Sequence, residues 1–336
     1  REGGFREIVS RGHEDEPIEI EIQFRLPITG KERLVTYFLR IKEDRGKAVV
    51  NREILRYKRG RHGSPFHFLD FSWGSGFAVT NEEDFTKEEE ELERERQTLA
   101  SPDILAIKGI GQFERFKAAN AFRNLIENWH ISDFHIMAAR GRVEAGVAEH
   151  LSETGDNLPL VAQYLYEQHY EVFQEILDKL KSRVPGIENV EADQTIDGYV
   201  VLRFQDGTFE KPFVARSVSD GTIKMFAYLV LLHDPSPHPF LCIEEPENQL
   251  YPELLGELVE ELRDYAQRGG QVFVSTHSPD MVDSARLEEV LWLEKQDGTA
   301  SIHSAAEDEQ VVALVDAGDL PGDLWRQGFL GQRIGG

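Results

Sequence analysis

Two short runs made only of apolar residues, Phe240-Leu241-Cys242-Ile243 and Val272-Phe273-Val274, constrain this chain more than any other feature. Strands that are apolar on both faces belong in a parallel sheet covered on each side, and parallel neighbours need a crossover between them. The segment between the runs supplies one. After Pro252, the residues Leu254, Leu255, Leu258, Val259, Leu262 and Tyr265 recur at helical spacing, and Gly269-Gly270 ends the pattern. Residues 240–274 therefore read as a βαβ unit.

The N-terminal part has a different texture. From Pro17 to about Thr80 apolar residues alternate with polar ones, as in Ile18-Ile20-Ile22-Phe24 and Val35-Tyr37-Leu39-Ile41, with a turn signal at Gly30-Lys31, so an antiparallel sheet is expected. Asn81 to Arg96 is rich in Glu and reads as either a solvated helix face or a flexible connection. Helical spacing from Gln112 to Trp129 and from Leu158 to Val184 points to a helical lobe. Short strands follow at Ile187–Ala192, Tyr199–Phe204 and Phe209–Val214, the last two joined at Asp206-Gly207. The expected division is an antiparallel β subdomain with its acidic connection (1–110), a helical lobe (111–215), an α/β core (216–306) and a C-terminal tail (307–336).

Composition narrows the function. With 37 Lys and Arg against 61 Asp and Glu, the net charge of −24 disfavours wrapping a polyanion, so any nucleic-acid contact has to be local. No apolar run approaches the length of a membrane span. The single cysteine, Cys242, excludes a disulfide framework, reads as a buried core thiol, and suits a reducing, cytoplasmic setting.

Three chain-distant pieces carry chemistry. Glu244-Glu245 closes the first apolar strand at its carboxyl end, where α/β sheets hold their ligands. Phosphoryl transfer there requires a Mg²⁺ ion, for which Glu244 is the candidate ligand, and a carboxylate acting on water, for which Glu245 is the candidate. The plain alternative is a strand ending in solvated acids. The second apolar strand runs into Ser275-Thr276-His277-Ser278-Pro279, which places His277 beside those acids to meet a γ-phosphate or orient the water, unless it is an ordinary loop residue. Upstream, Ser217-Val218-Ser219-Asp220-Gly221-Thr222 precedes the helix Ile223–Leu232. Its free N–H groups make either a phosphate seat or a simple capped helix start.

In order and spacing these pieces resemble the ABC-type ATPases, and in wording the RecF/SMC-like and OLD-like ATPase heads. Ser219, Asp220, Gly221 and Thr222 look like the signature motif. Ile243-Glu244-Glu245 is similar to Walker B with its catalytic glutamate, Pro246 to Pro252 to the D-loop region with Asn248 as a nucleotide contact, and His277 to the switch histidine. The close resemblance covers Arg216 to Glu294, with fainter echoes at Gly155-Asp156-Asn157-Leu158 and Gly322-Asp323-Leu324-Trp325. It implies a P-loop NTPase core with a parallel sheet flanked by helices, ATP and Mg²⁺ as cofactors, and a homodimer in which Ser219 and Gly221 act on the partner's nucleotide.

Two departures stand out. Glu244 occupies a place where many ABC proteins have Asp, and no GxxxxGK[S/T] occurs. The nearest Gly-rich strings, Trp73-Gly74-Ser75-Gly76 and Lys108-Gly109-Ile110-Gly111-Gln112, lack the Lys-Ser/Thr ending. In the resembled family that loop lies ahead of the opening sheet. The expectation is therefore that the natural protein continues upstream of Arg1 and that the chain as given binds ATP poorly.

The cluster Arg56-Tyr57-Lys58-Arg59-Gly60-Arg61-His62 is either a local DNA contact, through Arg56, Lys58, Arg59 and Arg61, or a solvated turn. The resemblance points to an ATP-driven head working in DNA repair or anti-phage defence. The competing reading is a non-catalytic interaction module that also binds a partner protein. A nuclease like the full-length OLD enzymes needs a further Toprim domain, so nuclease activity is expected to come from another chain.

Overall fold

The computed structural model describes residues 4–58, 65–80, 92–296 and 298–331. The chain forms two compact units, residues 1–128 and 129–336.

The first unit opens with a short helix, α1 (Phe5–Ile8), followed by a six-stranded antiparallel meander. Its strands are β1 (Ile18–Ile28), β2 (Lys31–Asp44), β3 (Lys47–Tyr57), β4 (Phe66–Ser72), β5 (Ser75–Val79) and β6 (Arg94–Thr98), in that spatial order. Thr29 and Gly30 both take positive φ, 49° and 75°, which gives the two-residue turn whose twist matches the flanking strands. Helices α2 (Ala106–Ile110) and α3 (Lys117–Glu127) complete the unit, and Phe122 of α3 stacks on Phe24 and tilts against Tyr37. Glu53 is fully buried and accepts from Tyr37 Oη (3.0 Å), Ala106 N (2.6 Å) and Ile107 N (2.9 Å), satisfying the free amides at the start of α2.

The Glu-rich stretch is neither all helix nor all connection. Its end, Arg94 onward, is the edge strand β6, with alternating burial and a charged outer side that discourages further pairing. Residues 81–91 lie outside the described residues.

The second unit begins with β7 (Trp129–Ser132), α4 (Ile136–Ala139), β8 (Val143–Glu144), α5 (Leu158–Gln168) and α6 (Tyr170–Arg183). Then come β9 (Ile187–Gln194), β10 (Tyr199–Asp206), β11 (Phe213–Val214), α7 (Asp220–Leu232), β12 (Phe240–Glu244), α8 (Glu253–Gln267) and β13 (Gln271–Ser275). It closes with α9 (Pro279–Ser284), β14 (Leu291–Gln296), β15 (Thr299–Ser304), α10 (Glu309–Asp316) and α11 (Pro321–Gln327). Strands β13, β12 and β7 form a parallel sheet, β8 to β11 a separate antiparallel one, and β14–β15 a hairpin. Helix α7 is the centre of the core. It is buried all round, from Gly221 to Leu232, and packs against α4, α5, α6 and α8.

The expected helical lobe 111–215 is divided between the units. Helix α3 buries its apolar face on the antiparallel sheet, whereas α5 and α6 join the core around α7. The span Leu158–Val184 breaks into two helices at His169, whose φ of −136° is not helical. The strand expected at 209–214 shrinks to β11, since only Phe213 and Val214 pair with β10. Within the expected C-terminal tail 307–336, α10 and α11 share a small core with Val282, Val290 and Ala305.

Coverage of the parallel sheet also differs from expectation. Leu241 and Ile243 are buried under α7 and α8, but Ile131 and Phe273 on the opposite face are 50% and 46% exposed. Cys242 shares that open face and is only half-buried. Apolar character on both faces marked a surface, not a second layer within this unit.

Candidate functional site

Strands β12 and β13 run in parallel with Glu244 opposite Ser275, so their carboxyl ends deliver Glu244, Glu245 and His277 to one edge. Directly after β12 the backbone turns sharply. Glu245 has φ 39°, a left-handed conformation costly for a side chain of this size, and is held there by Glu245 N donating to Ser275 O (2.9 Å). The turn continues through Asn248 N donating to Glu245 O (3.1 Å) and Leu250 N to Glu247 O (3.0 Å).

This turn aims the Glu245 carboxylate. Its Oε2 accepts from Asn248 Nδ2 at 2.8 Å, and its Oε1 lies 3.6 Å from His277 Nε2. Glu247 binds the other turn: its Oε1 accepts from the His277 amide at 2.6 Å. His277 and Glu244 are exposed, as a group that meets a ligand must be. The neighbouring Cys242 thiol is raised by burial and by the Glu244 charge.

Beneath the turn lies Lys224, buried on α7, donating from Nζ to Asn248 O at 2.7 Å. Burial pushes its pKa down, opposed by the negative charges of Glu247, Asp133 and Glu245. Tyr228, one turn further along α7, is kept firmly protonated by burial and by Glu247 and Asp133. Lys224, Glu247, Asp133 and Tyr228 were not among the candidates from sequence. Lys224 had a signal, a lone charge inside the apolar run Ile223 to Leu232, and Asp133 sits just past the end of β7, equivalent in position to the acids after β12.

The signature segment is mostly packed into its own unit. Ser219 is the N-cap of α7, its Oγ accepting from Thr222 N (3.2 Å) and sharing a hydrogen bond with Thr222 Oγ1 (2.7 Å). Asp220 pairs with Arg140 at 2.5 Å. Gly221 and Thr222 are buried, and a Cβ on Gly221 would stand 3.1 Å from the Tyr251 ring and 3.2 Å from Gln249 O. Glycine is needed there for the close approach of the 249–251 turn, and Ser219 is the exposed member of the four.

The fainter echoes have structural roles. Asn157 closes its loop by accepting from Ser152 N (2.9 Å) and donating to His150 O (2.9 Å). Gly322 lets α11 approach α9, since a Cβ there would lie 2.3 Å from Pro279 O. In the basic cluster, Arg56 is paired with Glu21 at 3.1 Å, while Arg59, Gly60, Arg61 and His62 lie outside the described residues.

Glu244 offers at this edge the hard carboxylate oxygens that Mg²⁺ takes, and Glu247 Oε2 is buried with no hydrogen-bond partner among the described residues. The acids here do not gather into a ready-made metal-binding group among the described residues.

The parallel α/β core carries an acid pair and a histidine at the carboxyl ends of its strands, and the family match below makes it an ATPase-type nucleotide-binding module. The chain belongs to the family described as "AAA domain, putative AbiEii toxin, Type IV TA system", which matches residues 15–283. No curated protein matches it. Among solved structures it is similar to an SmcHead bound to the C-winged helix domain of ScpA (11% identity, 86% of this chain and 74% of that one, TM-score 0.47). It is similar also to an SMC head domain from Thermotoga maritima (12%, 80% and 74%, TM-score 0.33). A third is a chain from work on ATP-driven dimerization and DNA stimulated activation of SMC ATPases (13%, 46% and 97%, TM-score 0.34). No helix among the described residues is long and apolar enough to cross a membrane.

Proposed function

We propose that this chain is the ATP-hydrolysing, ABC-type head of a homodimer, and that its nucleotide cycle drives conformational change in an anti-phage defence or DNA-repair assembly. The observation that carries this reading is the single carboxylate of Glu245 gripped by Asn248 on one oxygen and faced by His277 on the other.

Glu244 is the ligand for Mg²⁺, which when bound spreads the charge on the nucleotide phosphates. Glu245 takes the proton of the attacking water. Asn248 fixes the orientation of that carboxylate, and Lys224 fixes Asn248 through its carbonyl. His277 donates toward the γ-phosphate, and Glu247 holds its backbone in place. Ser219, exposed at the start of α7, and Asp220 beside it face the nucleotide of the second copy, with the buried Gly221 and Thr222 shaping that helix start. The family description names a putative toxin of a Type IV TA system, and the defence setting extends those words. DNA contact near Arg56 and Lys58 rests on charge alone.

The test uses the full natural protein. In Glu245→Gln, ATP hydrolysis should fall on the order of 10²-fold or more, while Mg-ATP remains bound and the dimer persists. Unchanged turnover would remove Glu245 from the mechanism.

A second reading, a non-catalytic interaction module binding a partner protein, is favoured by the lack of a Gly-rich loop ending in Lys-Ser or Lys-Thr within the sequence. Equilibrium binding of labelled ATP by the full natural protein separates the two, since the module has no affinity in any context.

A further inference from the structure

At the opposite end of the parallel sheet, where β7 and β12 begin, a second cluster of polar side chains gathers from three separate segments. His150 comes from the loop ahead of α5, Asp234 from just past the end of α7, and His238 from the approach to β12. One ligand atom from each lies within 4.8 Å of the others, and His150 Nδ1 is 2.6 Å from Asp234 Oδ2. We infer that His150, Asp234 and His238 form a binding site for a zinc-class transition-metal dication.

The donor set decides the class of ion. Two imidazole nitrogens and one carboxylate oxygen suit Zn²⁺ and its neighbours, whereas Mg²⁺ and Ca²⁺ take oxygen shells. Three protein ligands leave a further coordination position for water.

Each ligand is held by its surroundings. Asp234 is 6% exposed, and its Oδ1 accepts from Ser236 N at 2.8 Å, which turns Oδ2 toward His150. Asn157 grips the His150 carbonyl at 2.9 Å, and Tyr265 Oη donates to the His238 carbonyl at 2.8 Å. Such outer contacts fix ligand orientation before an ion arrives. His130, in β7, lines the floor with its ring stacked 4.5 Å from that of His238. The side chain of His150 is 43% exposed, which gives an ion a way in.

A bound ion would tie the end of α7 to the loop 145–157 and to the start of β12. Its place is structural or regulatory. The strand ends that carry Glu244 and Glu245 lie at the other edge of the sheet, so this cluster is separate from the proposed Mg²⁺ ligand and does not depend on it.

The chain, stripped of metal, is titrated with Co²⁺ and then with Zn²⁺. We expect saturable visible d–d absorption from cobalt in a nitrogen-oxygen shell, displaced by stoichiometric zinc, with a rise in melting temperature. His150→Ala, on an exposed loop, and His238→Ala should each weaken zinc binding roughly tenfold or more. Each keeps a native circular dichroism spectrum if it folds, and His150→Ala decides the matter if His238→Ala does not. His277→Ala should leave the cobalt spectrum unchanged. Absence of cobalt absorption and of saturable zinc binding would overturn the assignment, leaving a plain His150–Asp234 ion pair. So would binding that survives loss of His150, or that disappears with His277.

Discussion

The imidazole Nε2 of His277 stands 3.6 Å from Glu245 Oε1, although the two residues leave different strands. The pair exists because β12 and β13 are parallel and in register to their last residues, Glu244 opposite Ser275. Adjacent parallel strands that end together present their following loops to one point, and the left-handed Glu245 brings its side chain back toward the neighbouring loop.

Replacing His277 by Ala removes a donor but leaves the Glu247 contact, which is made by the backbone amide. The turn should therefore keep its shape and stability. In the full protein kcat should drop on the order of 10²-fold with a small change in KM for ATP. A rise in KM alone would reassign His277 to nucleotide binding.

Lys224→Met tests the support beneath the site. The substitution leaves the Asn248 carbonyl without its buried donor and leaves Glu247, Asp133 and Glu245 without their cation. A loss of about 1–3 kcal/mol is expected in urea unfolding, accompanied by reduced turnover. Full stability in the variant would show that the lysine is dispensable to the turn.

Glu261, 3% exposed, receives Lys179 Nζ at 2.8 and 2.9 Å and also pairs with Arg183. Burial opposes its charge, but the Lys179 hydrogen bond and the charges of Arg183 and His233 outweigh it, so its pKa lies below the ordinary carboxylate value. Burial also lowers that of His233. In both cases the unfolded chain binds the proton first, so stability is complete above the unfolded values, about 6.5 for His and about 4.3 for Glu. It declines as pH falls through the lower folded values. Glu261→Ala leaves Arg183 with Glu257 and Lys179 with only the distant Glu175, and a loss of about 3 kcal/mol is expected at neutral pH, read from denaturation midpoints.

Glu53 has the opposite sign. Burial raises its carboxyl above the ordinary value despite three donors. Its contribution is complete at pH below the unfolded value and is lost as pH rises through the folded one. Hydrogen exchange in β3, corrected for intrinsic rates, should show protection declining across that window in the natural chain and not in Glu53→Gln. Parallel profiles would rule out Glu53 as the titrating group.

Local pattern carried the fold a long way. Period-two alternation in Ile18–Phe24 and Val35–Ile41 specified antiparallel strands, and the helical spacing of Leu254 to Tyr265 between two apolar runs specified the crossover, because backbone geometry links those periods to those structures. The same reading placed Glu244, Glu245 and His277 at strand ends. It did not show that α3 packs on the first sheet, that one face of β12 stays open, or that residues 94–98 form an edge strand. Each of these depends on which distant surface covers a segment, and a segment's own pattern is silent on that.

Sequence alone determined the chemistry available to this protein: the acid pair, the histidine, the capped helix start and the family they resemble. Only the tertiary structure decided what each group touches. It brought Lys224 under Asn248, turned Gly221 into a packing contact for Tyr251, and drew His150, Asp234 and His238 together from three segments. The physical reason is that side-chain contacts form between residues adjacent in space, and chain separation carries almost no record of that distance once helices and strands have packed.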